Sequence, residues 1–416
     1  MAERATEGLR VRTVTDHLSR ILDVAVRPAP VRVAITDAQG LRSAEEVVAA
    51  RPLPVFDQAA IDGYAVRSVD VAGASDASPV TVPVVGEIAA GSRQPLRLQP
   101  GQAVRVAAGA PLPTLADAVA PLGWTDGGAA RLTIRRGVPS AGFVRRVGED
   151  VQSGDVAVRE GDVVGSAQVA MLAAAGRDKL LVHPRPRVSV VSVGDELVEV
   201  SRSAASGQVA DVCSHAVVAA AREAGAETNR PRTVGGSAAE IRGAVEDLLP
   251  ASEIVVVCGA GGGTTAAEAK SGLADLGGID DTRVAMHPGS AQGYGRLGPD
   301  AVPVFLFPSH PATALVLFEV FVRPLIRLAL GQEPLRRTWT ARLTSPIVSP
   351  AGRRSYIPAR LLRSDDDGEL LAQPLGASGT HLLAVLSEVN ALAVIDEDVT
   401  EMTVGEHVEL VPRGRN

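Results

Sequence analysis

Between residues 185 and 331 the sequence alternates continuous apolar runs with glycine-stopped amphipathic segments, and this pattern constrains the fold more than any other feature. RPRVSVVSV, EIVVVCGAGGG and VPVFLFP read as strands buried on both faces, and TRVAMHPG as a further strand. SHAVVAAAREAGAE, AAEIRGAVEDLLP and AEAKSGLADLG read as helices, and residues 311–331 as one long helix. Strands that alternate with helices require a parallel sheet covered on both sides. Ligands of such sheets bind beyond the carboxyl ends of the strands. The segments VGDEL, GAGGGTT and FPSHP fall at those ends.

The flanks have a different texture. Residues 13–25, TVTDHLSRILDVA, predict a helix: Thr13 with Asp16 resembles a capping box, and Val14, Leu18 and Ile21 share one face. Residues 51–144 carry short valine-rich runs separated by Gly and Pro, which predicts a small all-β region. GSAQVAMLAAAG predicts a helix that closes back on the N-terminal one. From about residue 335 the chain turns β again, with a turn at AGRR, which predicts a C-terminal barrel or sheet.

Composition narrows the function classes. Aromatics are only 3% of the chain against 46% hydrophobic residues, so its cores are built from small aliphatics. The net charge of -7 argues against wholesale nucleic-acid binding but permits a local basic pocket. The two cysteines, Cys213 and Cys258, form neither a disulfide framework nor a zinc motif and read as buried small hydrophobes. The start of the chain lacks the apolar core of a signal peptide, and prolines and charges interrupt the apolar stretch 302–328. The expectation is a cytoplasmic protein with no direct membrane insertion and no nucleic-acid partner.

Several residues stand where chemistry is done. In FDQAAIDGYAV, Asp57 and Asp62 flank an apolar run; an Asp-Gly pair also makes a simple turn. Asp195 and Glu196 follow a buried strand, where adjacent acids can hold Mg²⁺ with water and a substrate phosphate, or else form a solvated loop. Gly259, Gly261, Gly262 and Gly263, followed by Thr264, could cradle a phosphate on backbone N–H groups at a helix start, or form a flexible loop.

The order of these parts, with FDQAAIDGYAV, PGQAVRVAAGAPLPTLADAV, SVVSVGDELV with GQVADVCSHA, and VAMHPGSAQGYG with FLFPSHPATALVLFEVFVRPLIRLALG, resembles the molybdopterin molybdenumtransferase (MoeA) family and the E domain of gephyrin. It looks closest to the actinobacterial gephyrin-like branch. The resemblance implies an α/β plus β fold in an elongated homodimer of four subdomains. These are a discontinuous helical subdomain (1–50 and 145–184), a β-rich insertion (51–144), an α/β layer like the MoaB/MogA molybdopterin-binding proteins (185–331) and a β barrel (332–416). It implies an enzyme that takes adenylated molybdopterin and molybdate, cleaves the adenylate with Mg²⁺ and inserts molybdenum into the dithiolene. Carried onto this sequence, it makes Asp62, Glu196, Asp211 and Arg353 the catalytic residues, with Asp62 and Glu196 organising the metal and Arg353 facing the partner subunit's site. It assigns Gly259, Gly261, Gly262, Gly263, Thr264, His287, Pro308 and Pro311 to the pterin-phosphate site and leaves Asp57 a structural acid.

The family's polar pattern is incomplete here. The aspartate after the glycine loop is Ala267, and the two lysines of KPGKP are His287 and Ser290 in His287-Pro288-Gly289-Ser290-Ala291. LPGNP is Phe307-Pro308-Ser309-His310-Pro311, and the TGAPLP threonine is Ala108. Each lost charge-assisted phosphate contact is worth roughly 1.5–3 kcal/mol. This pattern favours a non-catalytic dimeric scaffold that binds a partner peptide at the division septum, with the FtsZ C-terminal tail and a membrane receptor as the partners implied. The alternative is a divergent molybdenumtransferase in which His287 replaces a lysine; a third reading is a pterin carrier without chemistry.

Overall fold

The computed structural model describes residues 11–23, 28–93, 97–365, 368–375 and 383–413. The chain divides into two compact units, Met1–Val31 with His183–Asn416, and Arg32–Val182. The first opens with helix α1 (Val14–Leu22), whose Thr13 side chain accepts the Asp16 N–H as the capping signal requires.

The second unit holds a five-stranded sheet of β1 (Gly63–Val66), β2 (Val80–Ile88), β3 (Ala103–Val106), β4 (Ala118–Pro121) and β5 (Arg131–Ile134), in the order β5-β2-β3-β1-β4. Alternate residues of β1 feed two cores: Tyr64 and Val66 pack with Leu132 and Ile134, while Ala65 packs with Leu98, Val104 and Val119. The Asp62-Gly63 pair is therefore the entry to a central strand rather than a simple turn. Gly63 is needed for strand approach, since a Cβ there would lie 2.3 Å from the Ala120 carbonyl oxygen. Helix α2 (Ser166–Ala174) packs on the short strand Val156–Val158 of this same unit. Helix α1 uses its apolar face, Val14 and Ile21, in the core of the other unit.

In the first unit the α/β layer comprises β6 (Arg187–Ser192), α3 (Cys213–Ala224), β7 (Glu227–Asn229), α4 (Ala238–Leu248), β8 (Ile254–Cys258), α5 (Gly263–Gly272), β9 (Ile279–Asp280), β10 (Gly293–Leu297), β11 (Val302–Phe307), α6 (Pro311–Leu317) and α7 (Arg323–Ala329). The sheet order is β7-β6-β8-β11-β10-β9; the first four strands are parallel and the last two antiparallel. Both faces are buried, as the continuous apolar runs demand. Val190, Val256, Phe305 and Phe307 pack with α1, α3 and α7, while Val191, Val257, Val304 and Leu306 pack with α4 and α5.

Two expectations are corrected here. TRVAMHPG is not a strand of this sheet: Arg283–Val284 pairs with Val11–Arg12, and Met286–His287 with Arg354–Ser355. This end of the sheet is built instead from GYGRL and the edge strand Ile279–Asp280. The helix over 311–331 is also not uniformly α-helical. A π-helical turn, Phe318–Val322, lies between α6 and α7 just before Pro324, whose missing N–H and ring do not fit a regular α-helical ladder.

The C-terminal strands are β12 (Trp339–Leu343), β13 (Arg354–Arg363), β14 (Leu370–Pro374), β15 (Ala391–Ile395) and β16 (His407–Pro412). They run β13-β14-β12-β16-β15 and return to β13, closing a five-stranded barrel that leaves these strands no open edge. Among the described residues no helix is long and apolar enough to cross a membrane.

Candidate functional site

The carboxyl ends of β6, β8 and β11 open onto a cleft of ≈ 230 Å³ lined by Ser192, Glu196, Asp211, Cys213, Cys258 and Ser309 among others. Asp211 is 1% exposed and filled with partners. Oδ1 accepts from Ser192 Oγ at 2.8 Å and from the Ser214 N–H at 3.1 Å; Oδ2 accepts from Ser214 Oγ and, at 3.5 Å, from Arg230. Arg230 continues to Glu199 at 2.8 Å. A carboxylate has about four lone-pair sites, and here all are used. Asp211 thus anchors the N-terminus of α3 and the loops around it and has no acceptor capacity left for a metal. Glu196 is the opposite case: its carboxylate is exposed and pairs with no side chain among the described residues. Neighbouring Asp195 accepts the Gly236 N–H at 3.0 Å. Cys258 hydrogen-bonds Cys213, and that bond together with burial pushes its thiol pKa up. Both cysteines are buried packing material on the cleft wall.

The glycine loop borders a second cleft of ≈ 300 Å³, which also reaches Lys270, Arg283 and Gln292. The loop's glycines do two different jobs. The N–H groups of Gly259 and Gly261 both donate to the Phe307 carbonyl, at 2.8 and 2.9 Å. A Cβ on Gly261 would lie 2.3 Å from Pro308 N, so this residue and Pro308 form a packed strand-to-strand latch. Gly262, Gly263 and Thr264 instead occupy the cap and first turn of α5, whose N–H groups have no intrahelical partner, and Gly262 and Gly263 line the cleft. Pro311 supplies the first residue of α6, with His310 as its cap. The lost family lysines do not leave this cleft without cations. Lys270, ion-paired to Asp281 at 2.8 Å, and Arg283 line it.

His287 does not replace a lysine charge. Desolvation, then the nearby Arg353 guanidinium, push its pKa below the ordinary value, so it is neutral. The positive charge at this point belongs to Arg353, exposed at the barrel turn, while its neighbour Arg354 is tied to Glu397 at 3.2 Å. In the second unit, Asp62 is exposed and its Oδ1 accepts the Ala108 N–H at 2.7 Å. The backbone makes this bond, so the loss of a threonine side chain at Ala108 leaves it intact. Asp57 is structural: partial burial opposes its charge, but bonds from the Val147 N–H and Arg146 outweigh this and hold its pKa below the ordinary value.

Comparison with known proteins agrees with this architecture. Residues 12–176 match the MoeA N-terminal region (domain I and II), 189–328 a probable molybdopterin binding domain, and 340–412 the MoeA C-terminal region (domain IV). Molybdopterin molybdenumtransferase 1 of Mycobacterium tuberculosis is 53% identical, covering 96% of this chain and 98% of its own length. The chain belongs to the MoeA family. Molybdopterin molybdenumtransferase 2 of the same organism is 35% identical over 96% of this chain and 99% of its own. The crystal structure of a MoeA molybdopterin biosynthesis protein from Pyrococcus horikoshii superposes with a TM-score of 0.80 at 28% identity, covering 97% of this chain and 99% of that one. This MoeA chain carries site features that motif matching missed: the Arg230–Glu199 support beneath Asp211, and Lys270 with Arg283 beside the glycine loop. Lys270 had a legible signal, since it lies two turns along the helix that the glycine loop opens.

Proposed function

We propose that this chain is a working molybdopterin molybdenumtransferase that takes adenylated molybdopterin and molybdate. The observation that carries the reading is the pairing of unsatisfied groups at the strand ends: bare N–H groups at the start of α5 beside Lys270 and Arg283, and the unpaired carboxylate of Glu196. The first set suits the phosphates of an adenylate. Mg²⁺ takes one or two carboxylates and completes its shell with water and substrate phosphate. Glu196, with Asp195 beside it, fits that demand and would hold the ion, although among the described residues no cluster of three or more ligating side chains exists. A bound Mg²⁺ would stabilise charge on the phosphate oxygens as the adenylate is cleaved. The Asp211–Arg230–Glu199 network positions the loop that carries Glu196; Arg353 is a candidate for contacting molybdate, and Asp62, as the resemblance implies, one for organising the metal. The test is rescue of molybdoenzyme activity in a bacterial strain lacking its transferase. Rescue that disappears in Glu196→Gln supports the reading; no rescue by well-expressed, folded protein overturns it.

A second reading, the dimeric scaffold, is favoured by one observation. An apolar groove of ≈ 280 Å³ runs between α1, the π-helical turn and the barrel, lined by Val14, Leu18, Val320, Pro324, Leu335 and Val411. The Glu319–Arg336 ion pair at 2.5 Å borders it. Its shape suits a short amphipathic peptide; the FtsZ tail and a membrane receptor, which would bring the chain to the septum, are the candidate partners. Calorimetry with an FtsZ C-terminal peptide that shows no heat at high micromolar concentration would remove this reading.

A further inference from the structure

The antiparallel edge of the α/β sheet carries a third cleft, of ≈ 500 Å³, lined by Arg12, Arg20, Asp280, Tyr294 and Arg296 over a glycine floor that includes Gly278. It is built from α1, the residue pair before it, β9 and β10, and shares no lining side chain with the strand-end clefts apart from the β9 residue Ile279. Its hydrogen-bonding groups are unbalanced. Three arginines face one carboxylate, in a chain whose net charge is -7. A single oxygen, Asp280 Oδ2, serves both Arg12 at 2.8 Å and Arg20 at 3.4 Å. Arg296 is exposed and no carboxylate among the described residues pairs with it.

The buried layer beneath adds donors without acceptors. Tyr294 is 8% exposed, and its buried hydroxyl has no partner among the described residues. Its neighbour His17, edge-on at 6.1 Å between ring centroids, is 2% exposed. His17 Nδ1 lies 3.0 Å from Arg12 Nη1, which can only donate, so the ring is the tautomer with its proton on Nε2. That Nε2 proton is also buried without an acceptor. Burial and then Arg12 push the ring's pKa down to about 4, so it stays neutral and keeps this tautomer. Buried polar groups in folded proteins nearly always find partners. A region with surplus donors and surplus positive charge is completed by a ligand rich in acceptors and negative in charge.

We infer that this edge cleft is a binding site for a phosphate-bearing small molecule, its phosphoryl oxygens accepting from Arg296 and Arg20. The cleft volume lies in the range that small-molecule sites occupy. Planar guanidinium groups suit phosphoryl oxygens better than a point charge does. Asp280 holds Arg12 and Arg20 in place and, being negative, selects against ligands that cannot supply strong acceptors to displace its hold on Arg20.

The test is calorimetric titration of the full chain with inorganic phosphate, pyrophosphate and AMP. Saturable binding is expected, weakened about tenfold or more by Arg296→Ala, and weakened several-fold by Arg20→Ala. The Arg296-dependent component of the binding should be unmoved by Lys270→Ala, which removes only the component belonging to the glycine-loop cleft. Arg296 is exposed, so its loss does not threaten folding, and Arg296→Lys should recover part of the affinity. Tighter binding of AMP than of pyrophosphate identifies a nucleoside phosphate as the occupant, and the reverse order an inorganic diphosphate. Absence of saturable binding of all three up to about 10 mM, or binding that Arg296→Ala and Arg20→Ala leave unchanged, overturns the inference. Neither result bears on the transferase reading, which rests on other residues.

Discussion

The loop after β6 and the loop after β8 both end buried parallel strands, yet they resolve their polar groups in opposite ways. After β6, Asp211 is saturated by Ser192, Ser214 and Arg230. After β8, the start of α5 leaves its N–H groups without intrahelical partners and lines an open cleft. The first arrangement is what a buried charge requires, since an unpaired carboxylate in the interior is severely destabilising. The second is tolerable only because solvent or a ligand can supply acceptors. The comparison teaches that the acid most enclosed by polar partners is a support, and that the binding groups are those left without them.

The largest test of this contrast is Asp211→Ala, which leaves the buried Ser192 hydroxyl, the Ser214 hydroxyl and the Ser214 N–H without their acceptor while Arg230 keeps Glu199. At about 1–3 kcal/mol for each unsatisfied group it should lower unfolding free energy by roughly 3–5 kcal/mol, read from denaturant midpoints. Glu196→Ala, in the same cleft, should stay within about 0.5 kcal/mol of the parent while losing molybdoenzyme rescue. If the two variants were equally stable, the distinction between support and site would fail.

A test of nearly similar size comes from the buried histidine behind the edge cleft. His17 in the native state has its pKa lowered to about 4, below the ordinary value of 6.5. Between those values the unfolded chain binds a proton that the folded chain refuses, so stability should fall as pH drops through that window and level off below it. The loss by pH 4 is on the order of 3 kcal/mol. Urea unfolding of wild type and His17→Leu across this range would show it, the variant lacking this part of the slope.

Gly261→Ala places a Cβ against Pro308 N and should destabilise by roughly 1–3 kcal/mol. Gly262→Ala, whose Cβ meets nothing within 4 Å, should be milder and act mainly on ligand affinity. Smallest in stability is Lys270→Ala. Its ion pair with Asp281 is exposed and worth well under about 1 kcal/mol, so thermal midpoints should barely move. Affinity for a phosphate-bearing pterin should nevertheless drop about tenfold.

Much of this was legible in the chain. The alternation of apolar runs and glycine-stopped helices fixed the doubly covered parallel sheet, because a strand buried on both faces tolerates no polar period. The motif order indicated the family and the C-terminal barrel. The position of Glu196 and the glycine loop at strand ends followed from topology alone.

What the sequence could not reveal is which groups remain unpaired. Asp211 and Glu196 look alike on the page, and only the fold brings Ser192 and Arg230 to one of them. His287 looked like a substitute cation, but burial, and then Arg353, distant in sequence, push its pKa down. The missing lysines suggested an empty pocket until the fold set Lys270 and Arg283 on its wall. Periodicity is a local property, determined by which face of each segment avoids water, so the sequence alone specifies it. Electrostatic pairing depends on distances between residues far apart in the chain, and only the tertiary structure decides those.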